Sequence, residues 1–273
     1  MSSFNYSNDL FNQCLKNKIA LVTGAGSGIG QATAHLFAQV GAIVIVADID
    51  EKLGNHVADD IKAKGWFADF VRLDVTDETS WQEVYALIAE KYGRLNILVN
   101  NAGIAFGGSV TELSLTDWRR LMAVNLDGVF LGTKYAIPLM QKSGGGSMIN
   151  VSSAAGIVGS PTAAAYCASK GGVRLFTKAV ALECAQARNY IRVNSIHPGP
   201  VATPMFEKGP AWDDFVKQTG GVDEAWKKIA ESTPMSRVAM PQEIAQAILF
   251  LASDASSYMT GSEIIIDGGF TAQ

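Results

Sequence analysis

Tyr166 and Lys170 stand four residues apart in the run Tyr166-Cys167-Ala168-Ser169-Lys170. On a helix that spacing puts a phenol and an ammonium on one face. A free phenol, with a pKa of about 10, is a poor base at neutral pH. A fixed positive charge beside it favours the phenolate and lowers that value, so the pair is a candidate general acid/base with its own electrostatic tuner. Thirteen residues before Tyr166, Ile149-Asn150-Val151-Ser152-Ser153 reads as a buried strand ending in hydroxyls. Ser153 is a candidate to hold a substrate oxygen beside the phenol. Taken alone, a Tyr and a Lys at this spacing more often belong to an ordinary surface helix. The rest of the chain has to supply a cofactor and a substrate for them.

A second candidate lies near the start. A short branched strand, Lys18 to Thr23, runs into Gly24-Ala25-Gly26-Ser27-Gly28-Ile29-Gly30, and an amphipathic helix follows to about Val40, with Ala32, Leu36, Phe37 and Val40 on its apolar side. Strand, glycine turn, helix is the context of a dinucleotide site: glycines let the backbone approach a pyrophosphate, which sits at the helix N-terminus. A tight turn without a ligand is the plainer alternative. The next strand, Ile43 to Ala47, ends in Asp48, an acid suited to the adenosine ribose hydroxyls and opposed to an extra phosphate there. Neither Ser27 nor Ile49 offers that phosphate a cation. Asp74, ending the strand Phe67 to Leu73, can reach an adenine edge. Asn100-Asn101-Ala102-Gly103, after the strand Leu95 to Val99, can brace the central strands and line the cleft.

The elements that must position these groups alternate. After Asp48 comes a helix from Glu51 to Lys64. Another runs to Tyr92, with Trp81, Val84, Leu87 and Ile88 as its apolar stripe and Thr76 or Asp77 as its cap. A long helical region spans about Leu115 to Gln141 and carries a polar Asn125 in an apolar stretch. A buried amide must be hydrogen-bonded; Asn125 either bonds a backbone carbonyl or marks a kink holding a water in a proton path, and both can hold together. Strand Ser147 to Val151 leads to Ser153, and a helix from about Thr162 to Ala187 carries Tyr166 and Lys170. A sixth strand, Ile191 to Ile196, ends in His197-Pro198-Gly199, and a seventh, Glu263 to Ile266, follows a helix from Pro241 to Ala255. This rhythm predicts an α/β, doubly wound parallel seven-stranded sheet with all strand carboxyl ends on one edge. Gly24, Asp48, Asp74, Asn101, Ser153 and Gly199 then face one cleft. Residues from about 205 to 235 interrupt the rhythm with Phe206, Trp212, Phe215 and Trp226 among charges, which favours a substrate lid of short helices over a partner contact. No linker divides the chain, so residues 18–273 read as one domain behind an extension of residues 1–17.

The 273-residue chain is 48% apolar and 18% charged, enough to bury a substantial core, and its net charge of −4 comes without a basic block. Nucleic acid and membrane are therefore not expected partners. The first residues lack the pattern of a signal peptide. Three scattered cysteines and three scattered histidines suggest neither a disulfide frame nor a metal site. A reduced, cytoplasmic, metal-free protein is the expectation.

With these residues laid out, the chain resembles the short-chain dehydrogenase/reductase family from Lys18 to its end. The resemblance rests on Thr23-Gly24-x-x-x-Gly28-x-Gly30, Asn100-Asn101-Ala102-Gly103, Asn125, Ser153, Tyr166-x-x-x-Lys170, and Pro198-Gly199 with Thr203. It implies a Rossmann-like domain, a homotetramer built on the two long helices and the last strand, and hydride transfer between a nicotinamide cofactor and an alcohol or ketone. Tyr166 would be the acid/base, Ser153 would polarise the substrate oxygen, Lys170 would bind the nicotinamide ribose, and Asn125 would join the proton relay. The implied cofactor contacts are Gly24, Ser27, Gly28, Ile29 and Gly30; Asp48 and Ile49; Asp74 and Val75; Asn101, Ala102 and Gly103; Pro198, Gly199, Val201 and Thr203; and Tyr166 and Lys170. Substrate contacts would come from Ser153, Ala155, Tyr166, Met205 and Phe206, with the Ile104-Ala105-Phe106 turn as a further wall. Ala239, standing where a glycine is common, is a minor departure. Asp48 and the run Gly128 to Gly132 look most like the NAD-dependent secondary-alcohol, cyclic-alcohol and hydroxysteroid dehydrogenases. A 3-oxoacyl-carrier-protein reductase and a non-catalytic NAD-binding sensor are the alternatives.

Overall fold

The computed structural model describes residues 13–205, 207 and 210–273. Seven strands form one parallel sheet: β1 (Ile19–Thr23), β2 (Ile43–Asp48), β3 (Phe67–Arg72), β4 (Ile97–Asn100), β5 (Gly146–Val151), β6 (Ile191–Pro198) and β7 (Glu263–Ile266), in the order β3-β2-β1-β4-β5-β6-β7. The order reverses between β1 and β4, and ligands of such sheets bind at the carboxyl ends beside that switch. Because every pairing is parallel, the residues after β1, β2, β4, β5 and β6 share one edge.

Alternation along the strands divides the core in two. Ala20, Val22, Val44, Val46, Val99 and Ile149 face α1 (Gly28–Gln39), α2 (Glu51–Ala63) and α9 (Pro241–Ala252), where Phe37, Ile61 and Ile248 are buried. Ile19, Leu21, Ile45, Leu98, Met148 and Val193 face the other way, toward α3 (Glu78–Tyr92), α5 (Gly128–Lys142) and α6 (Ala164–Ala187), where Trp81, Ile88 and Met140 are buried. Leu15, ahead of β1, is fully buried in the first of these clusters, and its amide donates to the Val40 carbonyl at 3.1 Å.

Several local expectations shift. In α1 the buried face is Gly30, Thr33, Ala34, Phe37 and Ala38, while Ala32 and Leu36 are half-buried. Small residues on that face let α1 pack closely on the sheet and against its neighbour α9. In α3, Leu87 is exposed and Tyr85 takes its place, four residues after Trp81 on the buried stripe. Asp77 is the α3 cap, accepting from the Thr79 amide at 3.0 Å. The long helical region is α4 (Leu115–Met122), then a π-helical stretch Ala123–Asp127, then α5. Between β6 and α9 lie α7 (Pro210–Thr219) and α8 (Val222–Ala230).

Candidate active site

The glycine turn is held open by sterics. Gly24 and Gly28 have φ of +62° and +56°, a region that favours glycine. A Cβ on Gly30 would come within 2.2 Å of the Gly24 carbonyl oxygen. The turn therefore presents bare backbone, and α1 starts from Ser27 with no side-chain cap on its first amides. Uncapped amides at a helix N-terminus suit an anion such as a pyrophosphate. Asp48 closes the far side: its Oδ2 accepts from the Gly26 amide at 2.8 Å and its Oδ1 from Asp50 at 2.9 Å. The carboxylate is thus aimed at the turn with lone pairs to spare. Ile49 beside it is exposed.

Asn101 serves as a brace. Its Nδ2 donates to the carbonyls of Thr23 and Gly24 at 2.8 and 3.2 Å, and the amides of Asn101 and Ala102 both donate to Thr23 Oγ1 at 3.0 Å. A Cβ on Gly103 would lie 3.3 Å from Asn125 Oδ1 and 3.5 Å from Lys170 Nζ, so these three positions converge. Asp74 spends Oδ1 on the amide and hydroxyl of Thr76, and Val75 packs against Gly128. After β6, Gly199 lies against Asp267, Val201 is buried, and Thr203 rests on Gly28, its Cγ2 3.2 Å from where a Cβ would stand.

Asn125 is fully buried in the π-helical stretch. Its Oδ1 accepts from the Ile104 amide at 2.8 Å; its Nδ2 donates to the Ile104 carbonyl at 2.9 Å and to Ser169 Oγ at 3.2 Å. Ser169 in turn donates to the Tyr166 carbonyl at 2.8 Å. The amide thus ties the turn after Gly103 to α6. A π-turn adds one residue to the helical repeat, a distortion frequent at functional sites.

Tyr166 and Lys170 share one face of α6, and the ammonium lies 5.8 Å from the ring centre. Lys170 is buried, donates to the Val151 carbonyl at 2.9 Å, and is pushed down by burial to about 8. Ser153 follows β5; its Oγ accepts from the Ala155 amide at 3.1 Å, which leaves its own proton free to donate. The Tyr166 phenol is pushed up by burial, with a hydrogen bond from Ser153 working against that and the nearby Cys167 adding to it. This corrects the expectation that Lys170 lowers Tyr166. In the protein alone, desolvation is the largest effect on the phenol, and the ammonium is directed at the Val151 carbonyl.

Some neighbours escaped the sequence. Ser152 is buried and donates to the Lys170 carbonyl at 2.8 Å, and His197 contacts the Ser153 backbone. Their types carry no periodic or spacing signal. Ala155, next to Ser153 through its amide, is half-buried, and Met205 is exposed. Phe206 lies outside the described residues. In the 205–235 segment, Trp212 packs on Phe215 and Trp226 with ring centres 6.2 and 5.3 Å apart, and Trp226 donates to Glu207 at 3.1 Å. A cavity of about 790 Å³, lined in part by Lys18, Asn96, Gly145 and Arg188, opens at the amino ends of the strands and is remote from this chemistry. Among the described residues no cluster of His, Cys, Asp or Glu could hold a metal, and no helix is long and apolar enough to cross a membrane.

Comparison with known proteins agrees with this geometry. A family model described as enoyl-(acyl carrier protein) reductase matches residues 24–271. Cyclopentanol dehydrogenase of Comamonas sp. strain NCIMB 9872 is 42% identical over 94% of this chain and 98% of its own. The chain belongs to the short-chain dehydrogenase/reductase family. An NADP-dependent (R)-specific alcohol dehydrogenase of Lentilactobacillus kefiri is 40% identical over 95% of this chain and 98% of its own. A crystal structure of a short-chain type dehydrogenase/reductase from Mycobacterium marinum superposes with a TM-score of 0.86 at 36% identity, covering 97% of this chain and 99% of that one. The protein is thus an oxidoreductase, and its Rossmann-like fold implies a nicotinamide dinucleotide. The bare glycine turn, the uncapped start of α1 and the Asp48 carboxylate fit such a cofactor.

Proposed function

We propose that this chain is an NAD-dependent dehydrogenase that interconverts secondary alcohols and ketones of apolar, cyclic, aryl or steroid-like shape. The observation that carries the proposal is the half-buried Tyr166 and the buried Lys170 on one face of α6 beside Ser153, at the sheet edge that also holds the glycine turn. The nicotinamide, when bound, accepts or donates the hydride. The chain supplies the rest. Gly24, Ser27, Gly28, Ile29 and Gly30 hold the pyrophosphate, and Asp48 holds the adenosine ribose. Ser153 donates to the substrate oxygen with the proton that Ala155 leaves free. Tyr166 as phenolate takes the alcohol proton during oxidation and as phenol returns it during reduction; the Lys170 ammonium and the positive charge an oxidised nicotinamide would bring favour the phenolate against the upward push of burial. Lys170 holds the nicotinamide ribose and adds positive charge near the phenol; Asn125 holds the Ile104 turn against α6. Residues 205–235 close over the substrate, with Met205 and Ala155 in its wall.

The Lentilactobacillus relative is NADP-dependent, so family membership does not choose between cofactors. Asp48 supports NAD. Arg72 stands opposite Asp48 in the ladder, but its guanidinium lies toward Glu51 at 3.5 Å. The test is turnover of cyclopentanol, aryl carbinols and hydroxysteroids with NAD+ and NADP+. No oxidation of any secondary alcohol, together with reduction of a 3-oxoacyl thioester, would replace this reading with the carrier-protein reductase one.

We further propose that the chain acts as a homotetramer. Exposed Phe130 on α5 and exposed Leu175 and Leu182 on α6 support that reading.

A further inference from the structure

His197 has no part in the chemistry above, yet it is fully buried in β6, one strand from Ser153. Its Nδ1 lies 3.1 Å from the Ser153 carbonyl oxygen and its Nε2 2.9 Å from Ser195 Oγ. A carbonyl can only accept, so Nδ1 carries the proton. Nε2 is then an acceptor, and the buried Ser195 hydroxyl must donate to it. The two contacts together select one neutral tautomer and one ring orientation. Burial also disfavours the charged ring; the charged groups acting on it are Glu263 of β7 and Arg174 and Lys178 of α6, whose effects oppose one another.

The position of Ser153 explains why such a contact matters. The β5–β6 ladder ends where the Ser152 amide donates to the Ile196 carbonyl at 2.9 Å. Ser153 lies one residue beyond, in extended conformation, at the start of a single 3-10 turn, Ala154–Gly156. Its carbonyl receives the Gly156 amide at 2.9 Å from within that turn and only His197 from the sheet.

We infer that His197 is a positioning residue for Ser153: the Nδ1 proton, donated to the Ser153 carbonyl, anchors the first residue past the sheet and so aims its hydroxyl. The consequence for rate rests on the alcohol dehydrogenase reading; the contact itself does not.

The test compares His197→Asn, whose amide nitrogen replaces Nδ1 as a donor, with His197→Leu, which removes the donor. His197→Leu should lower kcat by roughly tenfold to a hundredfold, the scale of a small misplacement of a reacting group, with the KM for cofactor unchanged. His197→Asn should keep most of the parent's kcat. In a Ser153→Ala background, His197→Leu should cost nothing further. A merely structural role would lower the residual rate in both backgrounds and would not be rescued by Asn, and either result overturns the inference. If His197→Leu does not fold, Ser195→Ala takes its place, because it removes the donor to Nε2 that keeps the proton on Nδ1. An independent readout is the nitrogen spectrum of histidine-labelled protein. With three histidines in the chain, His197→Asn assigns the signal. The Nδ1–H tautomer supports the contact, and the Nε2–H tautomer overturns it. A parent that oxidises no alcohol would sink the proposed function alone, and the spectrum would then decide the inference by itself.

Discussion

At the scale of single residues, three side chains set the chemistry, and each makes a separate prediction. Tyr166→Phe keeps the ring but removes the proton acceptor. Turnover should fall at least about 10²- to 10⁴-fold, the usual worth of a positioned acid/base, while cofactor titration by nicotinamide fluorescence stays near the parent. Near-normal turnover would end the mechanism. Lys170 makes a prediction about stability. Below about pH 8 it is protonated in both folded and unfolded chains, and burying its charge weighs against folding. Between about 8 and its ordinary 10.5 the folded chain sheds that proton while the unfolded chain keeps it, so its contribution to stability rises with pH. Urea unfolding of cofactor-free protein at about pH 7.5 and 9.5 should show the parent gaining on Lys170→Met; an unchanged difference between the two proteins would refute the buried ammonium. Asp48 governs cofactor choice. A 2′-phosphate would face its carboxylate and cost it a charge-assisted bond of about 1.5–3 kcal/mol, or roughly tenfold to a hundredfold in favour of NAD. Asp48→Ser with Ile49→Arg should shift kcat/KM toward NADP. A parent that already prefers NADP would end the Asp48 argument and favour the carrier-protein reductase reading.

At the scale of elements, the glycine turn and α1 form one unit. Strand β1 delivers the chain to Gly24, and α1 begins directly above its carbonyl, so the helix can come this close only with hydrogen at position 30. Gly30→Ala must lift α1 off the turn, because the obstacle is backbone and cannot rotate away. It should weaken cofactor binding at least tenfold and lower stability by about 1–3 kcal/mol. Gly108→Ala is the matched control, with open space around its Cβ and no positive φ; it should stay within about 0.5 kcal/mol of the parent. Isothermal titration and urea melts of the two variants distinguish this packing account from a general intolerance of loop glycines. The π-helical stretch between α4 and α5 also shapes the site, because it turns Asn125 toward both the Ile104 turn and Ser169.

At the scale of the whole molecule, one sheet with parallel strands separates duties between its two ends. The carboxyl ends gather the glycine turn, Asp48, Ser153 and the Pro198-Gly199 turn, while the two helical layers bury apolar side chains from alternate strand positions. The outer face of α5 and α6 is less complete. Leu175 and Leu182 are 70% and 64% exposed there. On the tetramer reading, Leu175→Glu with Leu182→Glu should place charges in a dry contact and reduce the mass measured by light scattering. An unchanged mass in the parent and the double variant would remove these leucines from any subunit contact.

The sequence by itself determined what depends on near neighbours along the chain. The branched run Ile43 to Ala47, the glycine turn before α1, and the four-residue step from Tyr166 to Lys170 are all local, and period and spacing make them legible. The strand count and the single domain follow from the same rhythm. What only the tertiary structure decided depends on residues distant in the chain. Asn125 finds its partners at Ile104 and Ser169, Leu15 is buried with its amide on Val40 at the end of α1, and the helical repeat opens into a π-turn where α6 packs, none of which spacing encodes. Leu87 against Tyr85 was a choice between two faces of one helix, made by α5, whose Gly132 carbonyl accepts the Tyr85 hydroxyl at 2.8 Å. The direction of the Tyr166 shift is of this kind too. Sequence shows a cation four residues away, whereas desolvation comes from every segment that folds over the phenol, and in this protein desolvation is the first cause of its shift.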